Sequence, residues 1–426
     1  MTTATGTSTA VPLSHRPFAA LRLRGYRIYV AGQSFANTGT WMRSIAQDWL
    51  VLRLAHSATA VGLTMALQFL PILLLGAHGG LLADRFPKRR LLLATQVTNA
   101  TLTAVLSVLT LRGTITVGQL FVFALLSGLV FTVDGPTRQA FVAEVVPAED
   151  LRGAVSFNAA VFQTTRLVGP ALAGVLIGTV GTGWVFAVNA LCYVGPTVGL
   201  LRLRACDLRP PPPVHRQPGA LREALGYVLA HPRVASAIFL VGVVGTFGLN
   251  FPVVLTGMAR STFHGGAGTY AVFNIALAVG SASGALLAAT RHSVRLGGIV
   301  VTGGLFGCAQ LLAAVAPTFG IFLVVLVAMG MSNLAFQATA NSSVQLWVDP
   351  ALRGRVMGLY MLVFTGGTPI GAPIIGVVTS QFGPRTGMAV CGVVVAGAAC
   401  AVVLLRRRGF AQLCGSGSAW RKRIAR

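Results

Sequence analysis

Twelve apolar stretches, each of about twenty residues, divide this chain of 426 residues, and its charged residues fall almost entirely in the gaps between them. A helix needs about 20 mostly apolar residues to cross the hydrocarbon of a bilayer. No soluble domain has a use for twelve such segments. The chain therefore reads as an all-α membrane protein, with spans at 26–53, 58–83, 91–111, 117–136, 156–180, 184–203, 234–259, 267–290, 297–315, 318–345, 356–380 and 385–405. Composition agrees. Hydrophobic residues make up 54% and charged residues 10%, against ~25% charged in soluble domains.

Lysine and arginine number 33 against 9 acids, a formal net charge of +24. In a soluble protein that excess would suggest a nucleic-acid partner; here the basic residues sit in short loops, so none is expected. Arg85, Lys88, Arg89, Arg90, Arg138, Arg152, Arg353 and Arg355 fall on the side that also holds both ends of the chain and the central linker. The opposite side shows Arg53, Arg112, Arg260 and Arg385. By the positive-inside rule both termini are expected in the cytoplasm, in a multi-pass protein of the cell membrane. Residues 1–14 lack a basic segment followed by an apolar one, so no cleaved signal peptide is expected. The six cysteines are scattered without paired spacing, which argues against a disulfide framework or a metal site.

The spans divide six and six. We delimit an N-terminal segment 1–25, a first bundle 26–203, a linker 204–233, a second bundle 234–405 and a basic tail 406–426, expected to lack regular structure. The linker holds four consecutive prolines, Pro210 to Pro213, followed by a short amphipathic segment from Leu221 to Leu229 that suits an interfacial helix. The bundles echo each other at a constant offset. Gly76 and Gly80 match Gly280 and Gly284; Leu151-Arg152-Gly153 matches Leu352-Arg353-Gly354; Gly169, Gly174 and Gly178 match Gly371, Gly376 and Ser380. Two parallel, pseudo-symmetric six-helix halves suit transport, because rocking them exposes a site at their interface to alternate sides. Gly169, Pro170, Gly174, Gly371, Pro373 and Gly376 are candidates for close packing or hinging.

The segment Gly80-Leu81-Leu82-Ala83-Asp84-Arg85-Phe86-Pro87-Lys88-Arg89-Arg90 resembles the loop between spans two and three of the major facilitator superfamily, with Pro87 in place of a second glycine. Gly39 to Leu50, Asp134-Gly135-Pro136-Thr137-Arg138-Gln139-Ala140 and Arg222 to Tyr227 are similar to the branch that includes enterobactin exporters and macrolide efflux proteins. Gly169-Pro170-Ala171-Leu172-Ala173-Gly174 resembles the span-five motif associated with antiporters. The resemblance runs from about Phe18 to Arg408 and implies the major facilitator fold, alternating access and export. Asp84, Arg85, Lys88, Arg89, Asp134 and Arg138 are then candidates for a latch at the cytoplasmic ends of the halves. The arginine that many proton-coupled relatives carry in the middle of span four has no evident counterpart, since Arg138 is placed nearer the cytoplasmic end.

A charge at a helix centre costs about 2.5–3.5 kcal/mol on insertion scales, so ions within the spans are functional suspects. Asp48 is read as the one acid well inside a span and is the leading proton-site candidate, with a partner expected on another helix. Arg43 and Arg166 either serve as its counter-ions or hold an anionic substrate. Gln47, Asn250, Asn274, Asn333, Gln337 and Asn341 are candidate amides of the substrate cavity; the last three form an i, i+4, i+8 stripe.

No phosphate-binding Gly-x4-Gly-Lys motif is present, and neither lysine follows a glycine, which excludes a nucleotide-driven pump. Catalytic His-Glu-x-x-His and Gly-x-Ser-x-Gly motifs are absent, so no enzyme activity and no cofactor are expected. The reading is a secondary transporter, able to work as a single subunit in lipid. It would export a small amphipathic compound (a drug, an antibiotic or a siderophore) in exchange for protons. An importer or facilitator with the same fold is the alternative.

Overall fold

A computed structural model describes residues 19–147, 149–203, 220–290, 296–350 and 352–424; the side chains of 77, 81, 83, 84, 152, 220–222, 286–290 and 406–424 are not part of that description. The polyproline stretch and residues 1–18 therefore lie outside the described residues. We number the long helices α1 Arg24–Ala55, α2 Ala58–Arg85, α3 Lys88–Leu111, α4 Val117–Val145, α5 Leu151–Thr179 and α6 Thr182–Arg202. After a linker helix, Ala220–Ala230, come α7 Pro232–Thr262, α8 Ala267–Thr290, α9 Leu296–Val315, α10 Phe319–Trp347, α11 Arg353–Phe382 and α12 Pro384–Ile424.

Ten of these are long and apolar enough to cross a bilayer. The other two, α1 and α8, have the length, with 32 and 24 residues. α1 is diluted by Arg43, Gln47 and Asp48, whereas α8 is apolar along most of its length, with Tyr270, Asn274 and Ser281 as polar interruptions. These two helices touch each other.

The helix packing repeats along the chain. In the first six helices α1 packs on α5, α2 on α4, and α3 on α6; in the second six α7 packs on α11, α8 on α10, and α9 on α12. The turns repeat too. Thr116 caps α4 through Gln119 N, and Thr318 caps α10 through Ile321 N. Gly181 and Gly383 start α6 and α12 at φ 92° and 89°, a conformation that glycine adopts without a Cβ penalty. His56 and His264 take φ 53° and 48° in the loops after α1 and α7. Lipid provides no hydrophobic drive between helices, so close backbone approach holds them. A Cβ added to Gly128 would strike the Gln68 carbonyl, and one on Gly79 the Thr132 carbonyl; in the second half Gly330 meets the Leu277 carbonyl and Gly280 that of Val327.

Several expectations need correction. Span four does not stop at Pro136; α4 continues through it to Val145, because a proline within a helix removes a single ladder bond and neighbouring helices restore the packing. Span five begins earlier, at Leu151. The tail is helical rather than irregular: no proline follows Pro384, and the ladder of α12 runs on to Ile424. Spacing pairs Gly178 with Gly174, yet a Cβ on Gly178 would meet open space. Prolines inside the spans act unevenly on the helix ladder. Pro71 and Pro170 lie within unbroken helices, whereas α7 is interrupted at Leu249–Asn250 before Pro252, and α11 at Gly367 before Pro369.

Candidate functional site

The halves meet along two seams, α2 on α11 and α5 on α8. At the end that holds the α1–α2 loop, the seams are tight. Thr59 N and Thr59 Oγ1 donate to Ser380 Oγ at 2.9 and 3.0 Å. The Ala372 carbonyl faces Gly62, and Thr59 faces Gly376. Arg260 of α7 donates to the Leu52 carbonyl at 2.9 Å and reaches His56 Nδ1 at 2.8 Å. Gly174 of α5 packs on Ala271 of α8.

Just below this closed end lies Asp48, 8% exposed. The Tyr270 hydroxyl of α8 donates to its Oδ2 at 2.9 Å. Tyr270 is itself buried, and its carbonyl accepts from Asn274 Nδ2 at 2.9 Å. The partner expected on another helix is thus a tyrosine of the opposite half. A buried tyrosine needs a mate for its hydroxyl; in the sequence nothing marks Tyr270, which carries no charge. Asp48 is not the sole acid inside a span: Asp134 is 4% exposed within α4.

Neither arginine pairs with Asp48 among the described residues. Arg43 Nη1 donates to Gln47 Oε1 at 3.0 Å, and its guanidinium lies 5.5 Å from the Phe123 ring centre. Arg166 sits 5.5 Å from the Trp41 ring centre. The amide candidates are mostly self-satisfied. Gln337 donates to Asn333 Oδ1 at 2.9 Å and Gln345 to Asn341 Oδ1 at 2.5 Å. Asn250 donates to the Thr246 and Phe247 carbonyls at the break in α7, leaving its own Oδ1 buried and without a partner among the described residues.

The expected latch divides. The Asp84 side chain lies outside the described residues, and Arg85 is exposed. Lys88 pairs with Glu144 at 2.7 Å, and Arg89 donates to the Leu200 and Leu201 carbonyls at 2.8 and 3.0 Å. Both contacts stay inside the first half. The last carbonyls of a helix have no intrahelical partner and favour a cation, which explains Arg89 at the end of α6. Asp134 and Arg138 form an ion pair within α4 rather than a solvated one at a helix end, the carboxylate buried and the guanidinium half-buried. Thr95 of α3 donates to Asp134 Oδ1 at 2.7 Å, Arg138 reaches Asn37 Oδ1 of α1 at 3.1 Å, and Gln33 donates to the same oxygen at 3.1 Å. The network ties α1, α3 and α4 together. Sequence reading overlooked Gln33, Asn37 and Thr95, neutral side chains; the i, i+4 spacing of the first two on α1 was the available signal. Of the hinge candidates, Gly371 meets the Thr246 carbonyl and Gly169 the Trp41 side chain, while Pro170 and Pro373 lie within helical stretches.

A groove of about 480 Å³ between α1, α5 and α6 is lined by apolar side chains such as Phe35, Met42, Leu172 and Val188. It bears no charged group and lies apart from Asp48 and Tyr270.

Duplicated six-helix halves meeting around buried polar side chains define a transporter of the major facilitator fold. Residues 15–421 match the family described as "transmembrane secretion effector", and the chain belongs to that family of the major facilitator superfamily, whose members are multi-span transporters of the cell membrane and not enzymes. It is 25% identical to the Staphyloferrin A transporter of Staphylococcus aureus over 81% of this chain and 87% of that one. To the Enterobactin exporter EntS of Citrobacter koseri it is 25% identical over 84% and 86%. Among solved structures, a bacterial homolog to the human lysosomal transporter Spinster, inward-facing and occupied, aligns over 90% of this chain and 97% of that one at TM-score 0.70 and 14% identity. A point mutant of the nucleoside transporter NupG aligns at TM-score 0.69, covering 89% and 98%, with 14% identity. These structures share the fold.

Proposed function

We propose that this transporter exports a small amphipathic compound, driven by protons entering through the same central path. One observation carries the reading: a buried carboxylate of the first half, Asp48, is held by a hydroxyl of the second half, Tyr270. A group that binds a proton and also joins the two moving bodies couples the two processes directly. The deprotonated carboxylate only accepts; once protonated it also carries a donor, which changes what Tyr270 and its surroundings exchange with it. With the termini cytoplasmic, the seam of Thr59, Ser380 and Arg260 closes the outer mouth. The printed descriptions of relatives as siderophore carriers and exporters support export.

Everted membrane vesicles given a proton gradient test this. They should accumulate a fluorescent amphipathic dye, release it on adding an uncoupler, and lose the response in Asp48→Asn. Full pH-driven accumulation by a folded Asp48→Asn protein overturns the coupling role. Uptake by right-side-out vesicles under the physiological gradient, with none in everted ones, favours the importer instead.

A further inference from the structure

Arg166 lies near the middle of α5, the helix that runs from Leu151 to Thr179. Among the described residues it has no hydrogen bond and no ion pair; its one contact of note is the Trp41 ring. The guanidinium offers five N–H donors in a fixed fork that matches a carboxylate. An arginine left this way inside a span is costly unless water or a ligand meets it.

Its surroundings extend the pattern. Ser156, Ala159, Gln163 and Arg166 recur at i, i+3, i+7 and i+10 along one face of α5; they are small or polar, and each is at least partly exposed. Gly174 lies about five turns along on the face of Ser156, and it touches Ala271 of α8. The stripe therefore faces the second half across the α5–α8 seam, not lipid. Beside it Trp41 meets Phe162 edge-on, ring centres 5.7 Å apart, and Phe162 is 45% exposed. Arg43, by contrast, is buried on Gln47 and Phe123. Among the described residues no ion pair joins Arg166 to Asp48, whose hydrogen bond comes from Tyr270.

We infer that Arg166 is a substrate-binding residue and that the transported compound is an aromatic anion. Its carboxylate or acidic phenol sits on the guanidinium, its ring lies against Trp41 and Phe162, and Gln163 supplies an adjacent amide. The inference deepens the transport reading and rests on it for direction, but not for the chemistry of binding.

Equilibrium dialysis of the purified full chain in detergent, with radiolabelled salicylate as the probe, separates the two. Wild type should bind salicylate saturably. Benzoate should displace it, and neutral salicylamide and cationic benzylammonium should not. Arg166→Gln should weaken binding roughly tenfold or more, the size expected for a lost charge-assisted contact, while Arg166→Lys, which keeps the charge but loses the planar fork, should fall between wild type and Arg166→Gln. Thermal melting confirms that the variants are folded; if Arg166→Gln is not, the charge series on the wild type decides. No saturable salicylate binding, equal displacement by salicylamide, or wild-type binding by folded Arg166→Gln overturns the inference. Dialysis involves no gradient. Retained salicylate binding alongside absent pH-driven accumulation therefore sinks proton-driven export and leaves the binding site standing.

Discussion

Arg138 and Asp134 show how a charge pair is tolerated inside a helical bundle. Each is met by a neutral side chain of a neighbouring helix, Asn37 of α1 and Thr95 of α3. Removing one partner of a buried pair leaves the other uncompensated, at a cost of about 3–5 kcal/mol. Arg138→Gln should lower the melting temperature markedly, and adding Asp134→Asn should recover part of the loss; calorimetry in detergent reads both. Tyr270→Phe deletes a single interhelical hydrogen bond. In membranes such bonds are worth about 0.6 kcal/mol on average. The expected outcome is near-normal stability with a shifted pH profile of transport, and a collapse of folding instead would make Tyr270 chiefly structural. At this scale the sequence disclosed charges and little else. Asp48 and Arg166 were conspicuous because ions are rare in spans, whereas Tyr270, Asn37 and Gln33 have partners fixed by tertiary contacts that no local pattern encodes.

Elements were far more legible. Hydropathy located all twelve long helices, because a bilayer imposes their length, and the glycine spacing announced the duplication. Limits were less clear: the span expected to end at Pro136 runs on as α4 to Val145. The glycines differ in what surrounds them, which spacing cannot reveal. Gly371 lies against the Thr246 carbonyl between α11 and α7, while Gly178 faces open space. Gly371→Val should therefore overpack that contact and destabilise by about 1–3 kcal/mol. Gly178→Ala should be neutral or slightly stabilising through helix propensity. Chemical denaturation of the two variants checks the contrast, and equal effects would mean that backbone proximity at Gly371 is relieved without cost.

The whole molecule is two similar bodies joined by narrow seams, tied by hydrogen bonds at the end that bears the α1–α2 loop. Cysteines at Thr59 and Ser380 should cross-link under mild oxidation and stop transport, and a reductant should restore it. Unimpaired transport by the cross-linked protein would show that this end does not open in the cycle. Reporter fusions at the two termini should place both on the cytoplasmic face. The sequence left Arg166 with two readings, counter-ion or anion holder; its place beside the Trp41 ring is a tertiary contact that no local pattern encodes.

The seam at the end bearing the α1–α2 loop joins Gly62, Gly376, Thr59 and Ser380, bare backbone and small hydroxyls, and its charged member Arg260 rests on a carbonyl and a histidine nitrogen, not on an acid. Contacts of that kind are short-ranged and are not screened by dissolved electrolyte. That end thus behaves as a dry zipper whose parting registers salinity only weakly, and where it faces the medium a cell could meet brackish or dilute surroundings without retuning it.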